Sequence, residues 1–111
     1  MAADPAVIAH LNELFRDGED YLETLPDLAD EEPAAREVHP VICEWWGWGA
    51  EVKALHAAYR SGTMTDEQRV RYRRLVRRIQ ELLPLMDSFG LERPDVPVEE
   101  VLREQAASRP C

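Results

Sequence analysis

The chain has 111 residues, of which 22 are acidic and 13 basic, so its formal net charge is −9 at neutral pH. This length fits a single domain, residues 1–111, with a modest hydrophobic core. Hydrophobic residues make up 45% of the chain, too many for a disordered protein, and no apolar run reaches the roughly 20 residues of a membrane span. The acidic balance argues against unspecific binding of the whole molecule to nucleic acid or anionic lipid.

The first residues and the cysteines favour a cytoplasmic protein. No basic stretch followed by an apolar stretch opens the sequence, so we expect no secretory signal. Cys43 and Cys111 are the only cysteines, which is too few for a disulfide framework.

Helical periodicity begins near Asp4, which suits an N-cap, and Pro5, which suits the first helical position. Gly18 falls on the apolar stripe, where it would let another helix come close, and Pro26 is expected to end the helix. The stripe itself recurs in steps of three and four through Val7, Leu11, Leu14, Tyr21 and Leu25.

A second helical segment follows an acidic linker, residues 26–33, and runs from about Pro33 to Arg60. Pro40 either kinks it or, as we favour, starts a longer helix after a short one that ends at His39. Gly47 and Gly49 are two further places where the segment could break.

The third helix has the clearest start, because Thr65 and Gln68 have the spacing of a capping box. A wide apolar stripe continues to Phe89, with Pro84 inside it as a bend and Gly90 as a natural end. A short helix is expected over about residues 98–107, and residues 108–111 are expected to fray.

No segment alternates with a period of two, so the sequence predicts an all-α fold. We expect a small antiparallel bundle of three main helices, the second one broken near Pro40, plus a short C-terminal helix.

The sequence contains no recognisable catalytic or nucleotide-binding motif. Cys43 has no adjacent base to activate its thiol, so we interpret it as a packing or surface cysteine. These observations favour a non-catalytic protein without a cofactor.

Three polar residues could still form a metal site, because His10, Asp17 and His56 would meet if their two helices are antiparallel neighbours. The Glu-x-x-His pair of di-iron bundles is absent, however. The alternative is that His56 is a core histidine satisfied by a carboxylate or a carbonyl.

The most unusual segment holds Trp45, Trp46 and Trp48 together with Gly47 and Gly49. Trp45 and Trp48 share one helix face, and Trp46 projects about 100° away from them. Either Trp45 and Trp48 are core anchors, with the glycines allowing close helix packing, or Trp46, with or without Trp48, is exposed at a contact surface, or the indoles form the wall of a ligand pocket. All three tryptophans are interface candidates.

Six arginines lie within ten residues of helix 65–89, on the side away from its apolar stripe. They form a solvated or internally paired face, a protein contact, or a nucleic-acid contact. The six are Arg69, Arg71, Arg73, Arg74, Arg77 and Arg78, of which the last four are our interface candidates.

Together these patterns favour a non-catalytic interaction protein that forms a homodimer or larger assembly, or that serves as an accessory subunit of a complex. One alternative is a nucleic-acid-associated regulator that uses the arginine face of helix 65–89. The other is a metal- or cofactor-binding bundle that uses His10, Asp17 and His56.

Overall fold

The computed structural model describes residues 4–107, and all regular structure in that range is helical, which confirms the all-α prediction. The expected fraying of residues 108–111 and the position of Cys111 lie outside the described residues. No helix within the described range is long and apolar enough to cross a membrane. The helices are α1 (Pro5–Leu28), α2 (Pro33–Glu37), α3 (Pro40–Cys43), α4 (Trp45–Ser61), α5 (Asp66–Ser88) and α6 (Val98–Ala107).

Helix α1 begins as expected, since the Asp4 carboxylate accepts a hydrogen bond of 2.9 Å from the Ala6 amide. The prediction that Pro26 ends it is wrong, because the helix continues to Leu28. Leu25 and Leu28 are both buried in the core, so packing holds the last turn in place although Pro26 cannot donate a backbone hydrogen bond.

The second segment is broken at Pro40, as favoured, but the short helix before it ends at Glu37 and not at His39. His39 instead caps α3, where its Nδ1 accepts a hydrogen bond from the Val41 amide at 3.2 Å. A second break follows at Glu44, which separates α3 from α4. Gly47 and Gly49 therefore lie inside α4 and do not interrupt it.

Helix α5 carries both hydrogen bonds of the expected capping box between Thr65 and Gln68. The buried Gln68 side chain also donates to the Ile8 carbonyl and to the Asn12 side chain, both at 3.0 Å, so the cap of α5 is tied to the start of α1. Pro84 lies inside α5, and Gly90 follows its end with a positive φ of 72°.

One continuous hydrophobic core joins the long helices. Helix α1 packs on α4 and α5, and α6 packs on α5. Residues from all four helices are fully buried there, among them Phe15, Leu25, Val52, Leu55, Tyr72, Val76, Ile79, Met86 and Val101.

Candidate functional site

The three tryptophans at the start of α4 have two different environments. Trp45 and Trp48 are buried, and their rings stack with centroids 4.2 Å apart. Trp46 points the other way and is 79% exposed, because successive helical residues project about 100° apart. The core placement of Trp45 and Trp48 is therefore confirmed, and the alternative in which Trp48 is exposed is wrong.

Each buried indole has its N–H satisfied by a backbone carbonyl from a distant part of the chain. Trp48 Nε1 donates to the Gly18 carbonyl on α1 at 3.2 Å. Trp45 Nε1 donates to the Glu92 carbonyl, in the segment between α5 and α6, at 2.7 Å. These bonds fix the first turn of α4, and with it the direction in which Trp46 projects.

A groove of about 530 Å³ lies beside the exposed indole. On one side it is formed by Trp46, Gly49, Ala50 and Lys53 of α4, and on the other by residues 92–95. A Cβ atom placed on Gly49 or Gly47 would have no neighbour within 4 Å. The expectation that these two glycines allow close packing within the chain is therefore wrong, and the surface of α4 beside Trp46 is open.

The groove carries charges of both signs. Lys53 Nζ lies 3.6 Å from an Asp95 carboxylate oxygen, and both side chains are exposed. Glu92 and Arg93 also line the groove, so two cationic and two anionic side chains are close together. This local balance differs from the strongly acidic character of the whole chain.

The arginine face of α5 is divided by its contacts. Arg71 donates two hydrogen bonds, of 2.9 and 2.7 Å, to the Glu19 carboxylate of α1, so it joins α1 to α5. Arg78 lies 3.7 Å from Glu81 on its own helix. Arg73 is half-buried and Arg74 is exposed. The expected internal pairing is thus present for part of the face.

The metal site suggested by His10, Asp17 and His56 is not formed. Within residues 4–107 no group of three or more His, Cys, Asp or Glu side chains could hold a metal ion. His10 is exposed on α1, and His56 Nδ1 lies 2.8 Å from the hydroxyl of Tyr72. The prediction that a carboxylate or carbonyl satisfies His56 is wrong, because a tyrosine hydroxyl does so.

Burial shifts the protonation of this histidine–tyrosine pair. Desolvation raises the pKa of Tyr72, so its hydroxyl stays protonated at neutral pH. Desolvation, and then the nearby positive charge of Arg60, lowers the pKa of His56. The pair is therefore neutral near pH 7.

A second polar cluster lies where α1 meets the start of α4. The Tyr21 hydroxyl donates to Glu44 at 3.1 Å, and burial followed by this hydrogen bond raises the pKa of Tyr21. Burial and the charge of Asp17 raise the pKa of Glu51. The Glu51 Oε2 atom is buried without a hydrogen-bond partner within residues 4–107, so this carboxylate is poorly solvated when charged.

Sequence reasoning missed a cluster formed by the end of α4, the start of α5 and α6. Arg60 lies 2.7 Å from Glu104 and 3.1 Å from Glu100, and the Tyr59 hydroxyl is 3.5 Å from Glu104. Tyr59, Arg60 and Glu104 line a concavity of about 300 Å³ together with Arg69 and Arg73, whereas Glu100 does not line it. The available signal was the four-residue spacing of Glu100 and Glu104 around the buried Val101, which places both carboxylates towards one neighbouring helix.

Cys43 is a free, exposed cysteine, in agreement with its interpretation as a packing or surface residue. Its sulfur lies 3.6 Å from the Glu37 carbonyl.

Comparison of this chain with protein-family models, with curated proteins and with solved structures finds no significant match.

Proposed function

We propose that this chain is a non-catalytic helical interaction protein that self-associates through the Trp46 surface, defined as Trp46, Gly49, Ala50, Lys53 and residues 92–95. The observation that carries the proposal is the 79% exposure of the Trp46 side chain. An indole left in water forfeits roughly 2–3 kcal/mol of burial, and tryptophan is enriched among the residues that dominate binding energy at interfaces.

A second copy of the chain is the occupant that this surface fits best. Trp46, Gly49, Ala50 and Lys53 have the spacing of one helix face, so a large ring and two small residues lie side by side. In a two-fold pair each patch meets itself, so the indole of one copy can cover Gly49 and Ala50 of the other. The open space above Gly49 is thereby filled by the partner.

Charge also supports this arrangement. Two copies of a chain with a net charge of −9 repel each other over most of their surfaces. The Trp46 surface holds Lys53 and Arg93 beside Glu92 and Asp95, so two copies that meet there bring together charges of both signs and not only acidic ones.

The antiparallel bundle expected from the sequence belongs to the same proposal. From Gly18 to Tyr21 on α1, the hydrogen-bonded partners step backwards along the chain from Trp48 to Glu44. Opposite stepping of this kind supports opposite directions for α1 and α4.

The cytoplasmic location expected from the sequence also remains part of the proposal. The exposed free thiol of Cys43 supports it, because an unpaired exposed cysteine suits a reducing compartment.

The nucleic-acid alternative has less support. Arg71 is held by Glu19, and Arg78 lies beside Glu81, so the arginine face does not present an uninterrupted row of available cations. The interface candidates Arg73, Arg74, Arg77 and Arg78 are kept as a secondary contact region in the proposed assembly.

Sedimentation or light scattering over a concentration series tests self-association. We expect the wild type to form a dimer or larger species, and Trp46→Ala to be a folded monomer. Val38→Ala is the matched control, because Val38 is 73% exposed but does not line the groove. A wild-type mass of 12.7 kDa at every concentration would overturn the proposal, as would equal effects of the two substitutions.

A further inference from the structure

We propose that the concavity lined by Tyr59, Arg60, Arg69, Arg73 and Glu104 binds the phosphate group of a small molecule. We call it the arginine pocket. It lies between α4, α5 and α6, on residues that take no part in the Trp46 surface. The pocket shares only Arg73 with the secondary contact region of the proposed assembly, so phosphate binding does not rest on the Trp46 surface.

Two of the residues in the arginine pocket are held in place before any ligand binds. The Arg69 guanidinium lies over the Tyr59 ring, 4.5 Å from its centroid, and donates to the Tyr59 carbonyl at 3.2 Å. Tyr59 is itself buried and packs on Tyr72, with ring centroids 4.8 Å apart. Because these groups are already ordered, a ligand does not need to immobilise them.

An oxyanion already occupies part of the pocket. The Glu104 carboxylate accepts a 2.7 Å hydrogen bond from Arg60, and its other oxygen lies 3.5 Å from the Tyr59 hydroxyl. The Arg60 hydrogen bond lowers the pKa of Glu104, so the carboxylate is charged at neutral pH. Arg60 and Tyr59 therefore already bind an anionic group through its two oxygens.

The pocket has more cationic capacity than this carboxylate uses. Arg60 contacts both Glu100 and Glu104, whereas the half-buried Arg73 has neither an ion pair nor a hydrogen bond within residues 4–107. The pocket is therefore lined by three guanidinium groups and one carboxylate, and Glu100, which does not line it, is paired with Arg60.

A phosphate group fits this imbalance better than a carboxylate does. It carries up to two negative charges and three acceptor oxygens, so it can engage Arg60, Arg69 and Arg73 together. Planar guanidinium groups suit bidentate hydrogen bonding to phosphate oxygens. The volume of about 300 Å³ accommodates a phosphate group and lies at the small end of the range for ligand pockets.

An extended nucleic-acid backbone fits less well than a single phosphate group. Arg71 lies between Arg69 and Arg73 in the sequence, but its side chain is already paired with Glu19 of α1. The net charge of −9 also opposes a polyanion more strongly than a small ligand.

Calorimetric titration of the full chain with inorganic phosphate tests the proposal, with sodium chloride at matched ionic strength as the reference. We expect saturable binding to the wild type. Arg73→Gln should weaken it roughly tenfold, which corresponds to the loss of one charge-assisted hydrogen bond. Arg74→Gln is the matched control, because Arg74 is the next residue on α5, is exposed and does not line the pocket. It should leave the affinity unchanged.

Removing the internal competitor gives an independent test. Glu104→Gln keeps the shape of the side chain but removes its charge, so phosphate should bind several-fold more tightly. Melting curves of all three variants establish that each is folded. A second titration uses adenosine monophosphate. Tighter binding than that of inorganic phosphate indicates that the ligand is a phosphate carried by a larger molecule, whereas equal binding indicates free phosphate. Both results support the pocket.

The proposal is overturned if wild-type protein shows no saturable binding of either probe. It is also overturned if Arg73→Gln and Arg74→Gln weaken binding equally, since that identifies unspecific charge attraction. A third result would also overturn it: a short single-stranded RNA binds, and Arg74→Gln weakens that binding as much as Arg73→Gln does. The arginines would then form an extended basic face and not a pocket.

Discussion

The indole N–H of Trp48 on α4 donates a 3.2 Å hydrogen bond to the backbone carbonyl of Gly18 on α1. A Cβ atom on Gly18 would lie 3.8 Å from this indole nitrogen and 3.8 Å from the methyl groups of Leu75. These are ordinary contact distances, so the helices leave room for a methyl group at Gly18. The expected close approach of another helix at Gly18 is therefore an approach of Trp48 and Leu75, and it does not require glycine.

Gly18→Ala is expected to stabilise the protein. Alanine reduces the backbone entropy lost in a helix interior, a gain of about 0.5–1 kcal/mol relative to glycine. Denaturant unfolding of the two proteins measures this difference. A loss of stability in Gly18→Ala would show that the contact around Trp48 and Leu75 has no room for the methyl group.

Trp45→Ala and Trp46→Ala should separate folding from surface function. Trp45 is buried, stacks on Trp48 and bonds to the Glu92 carbonyl, so its removal should cost about 3–5 kcal/mol of unfolding free energy. Trp46→Ala should leave the unfolding free energy of the monomer within about 0.5 kcal/mol of wild type. Chemical denaturation at low protein concentration makes the comparison, and a large loss in Trp46→Ala would place that ring in the core.

His56 should make the protein less stable in mild acid. Its folded-state pKa is lowered by burial and then by Arg60, so the unfolded chain binds a proton at a higher pH than the folded chain does. Unfolding free energy should therefore fall as the pH drops below about 6.5, the ordinary histidine pKa.

Urea unfolding of wild type and His56→Gln between neutral and mildly acidic pH measures this dependence. The substitution should flatten the curve over that interval. His10→Gln is the matched control, because His10 is exposed on α1 and should retain the wild-type slope. Parallel curves for wild type and His56→Gln would contradict the assignment.

Glu51 should give the opposite pH dependence of the unfolding free energy. Burial and then Asp17 raise its folded-state pKa above the unfolded value, so the unfolding free energy should fall as the pH rises from about 4.5 through the folded-state pKa. Glu51→Gln removes the charge of a carboxylate that has one buried oxygen without a hydrogen-bond partner within residues 4–107. The substitution should stabilise the protein by about 1 kcal/mol at neutral pH.

The gain from Glu51→Gln should disappear in acid, where the carboxyl group of the wild type is protonated in both states. Glu13→Gln changes the net charge equally at an exposed position and should give no comparable gain. Equal stabilisation by both substitutions would trace the effect to overall charge.

Local patterns predicted the elements, whereas contacts between distant residues decided the details. The cap formed by Thr65 and Gln68 was readable from the sequence, because both hydrogen bonds span three residues. The additional bonds from Gln68 to Ile8 and Asn12 span about 60 residues, and no local signal indicates them.

The prolines show the same limit. Pro40 separates two helices, but Pro26 lies within α1, where the buried Leu25 and Leu28 hold the last turn against the core. Sequence spacing gives both prolines the same meaning, and only the packing of the folded chain distinguishes them.

The candidate site likewise depends both on local helical geometry and on contacts between distant residues. The opposite directions of Trp46 and Trp48 followed from helical geometry. The arginine pocket could not be predicted, because it joins Arg60, Arg69 and Glu104 from three helices whose mutual placement the sequence does not reveal.

The buried position of Val101 in α6 has a consequence for the newly made chain. While only residues 1–90 have left the ribosome, the carbonyl that receives the Trp45 indole and the side chain of Val101 are both still missing from the fold. The three earlier long helices then expose apolar surface that later residues cover, and such surface is prone to aggregation. Residues 91–107 must therefore be translated before this apolar surface is covered.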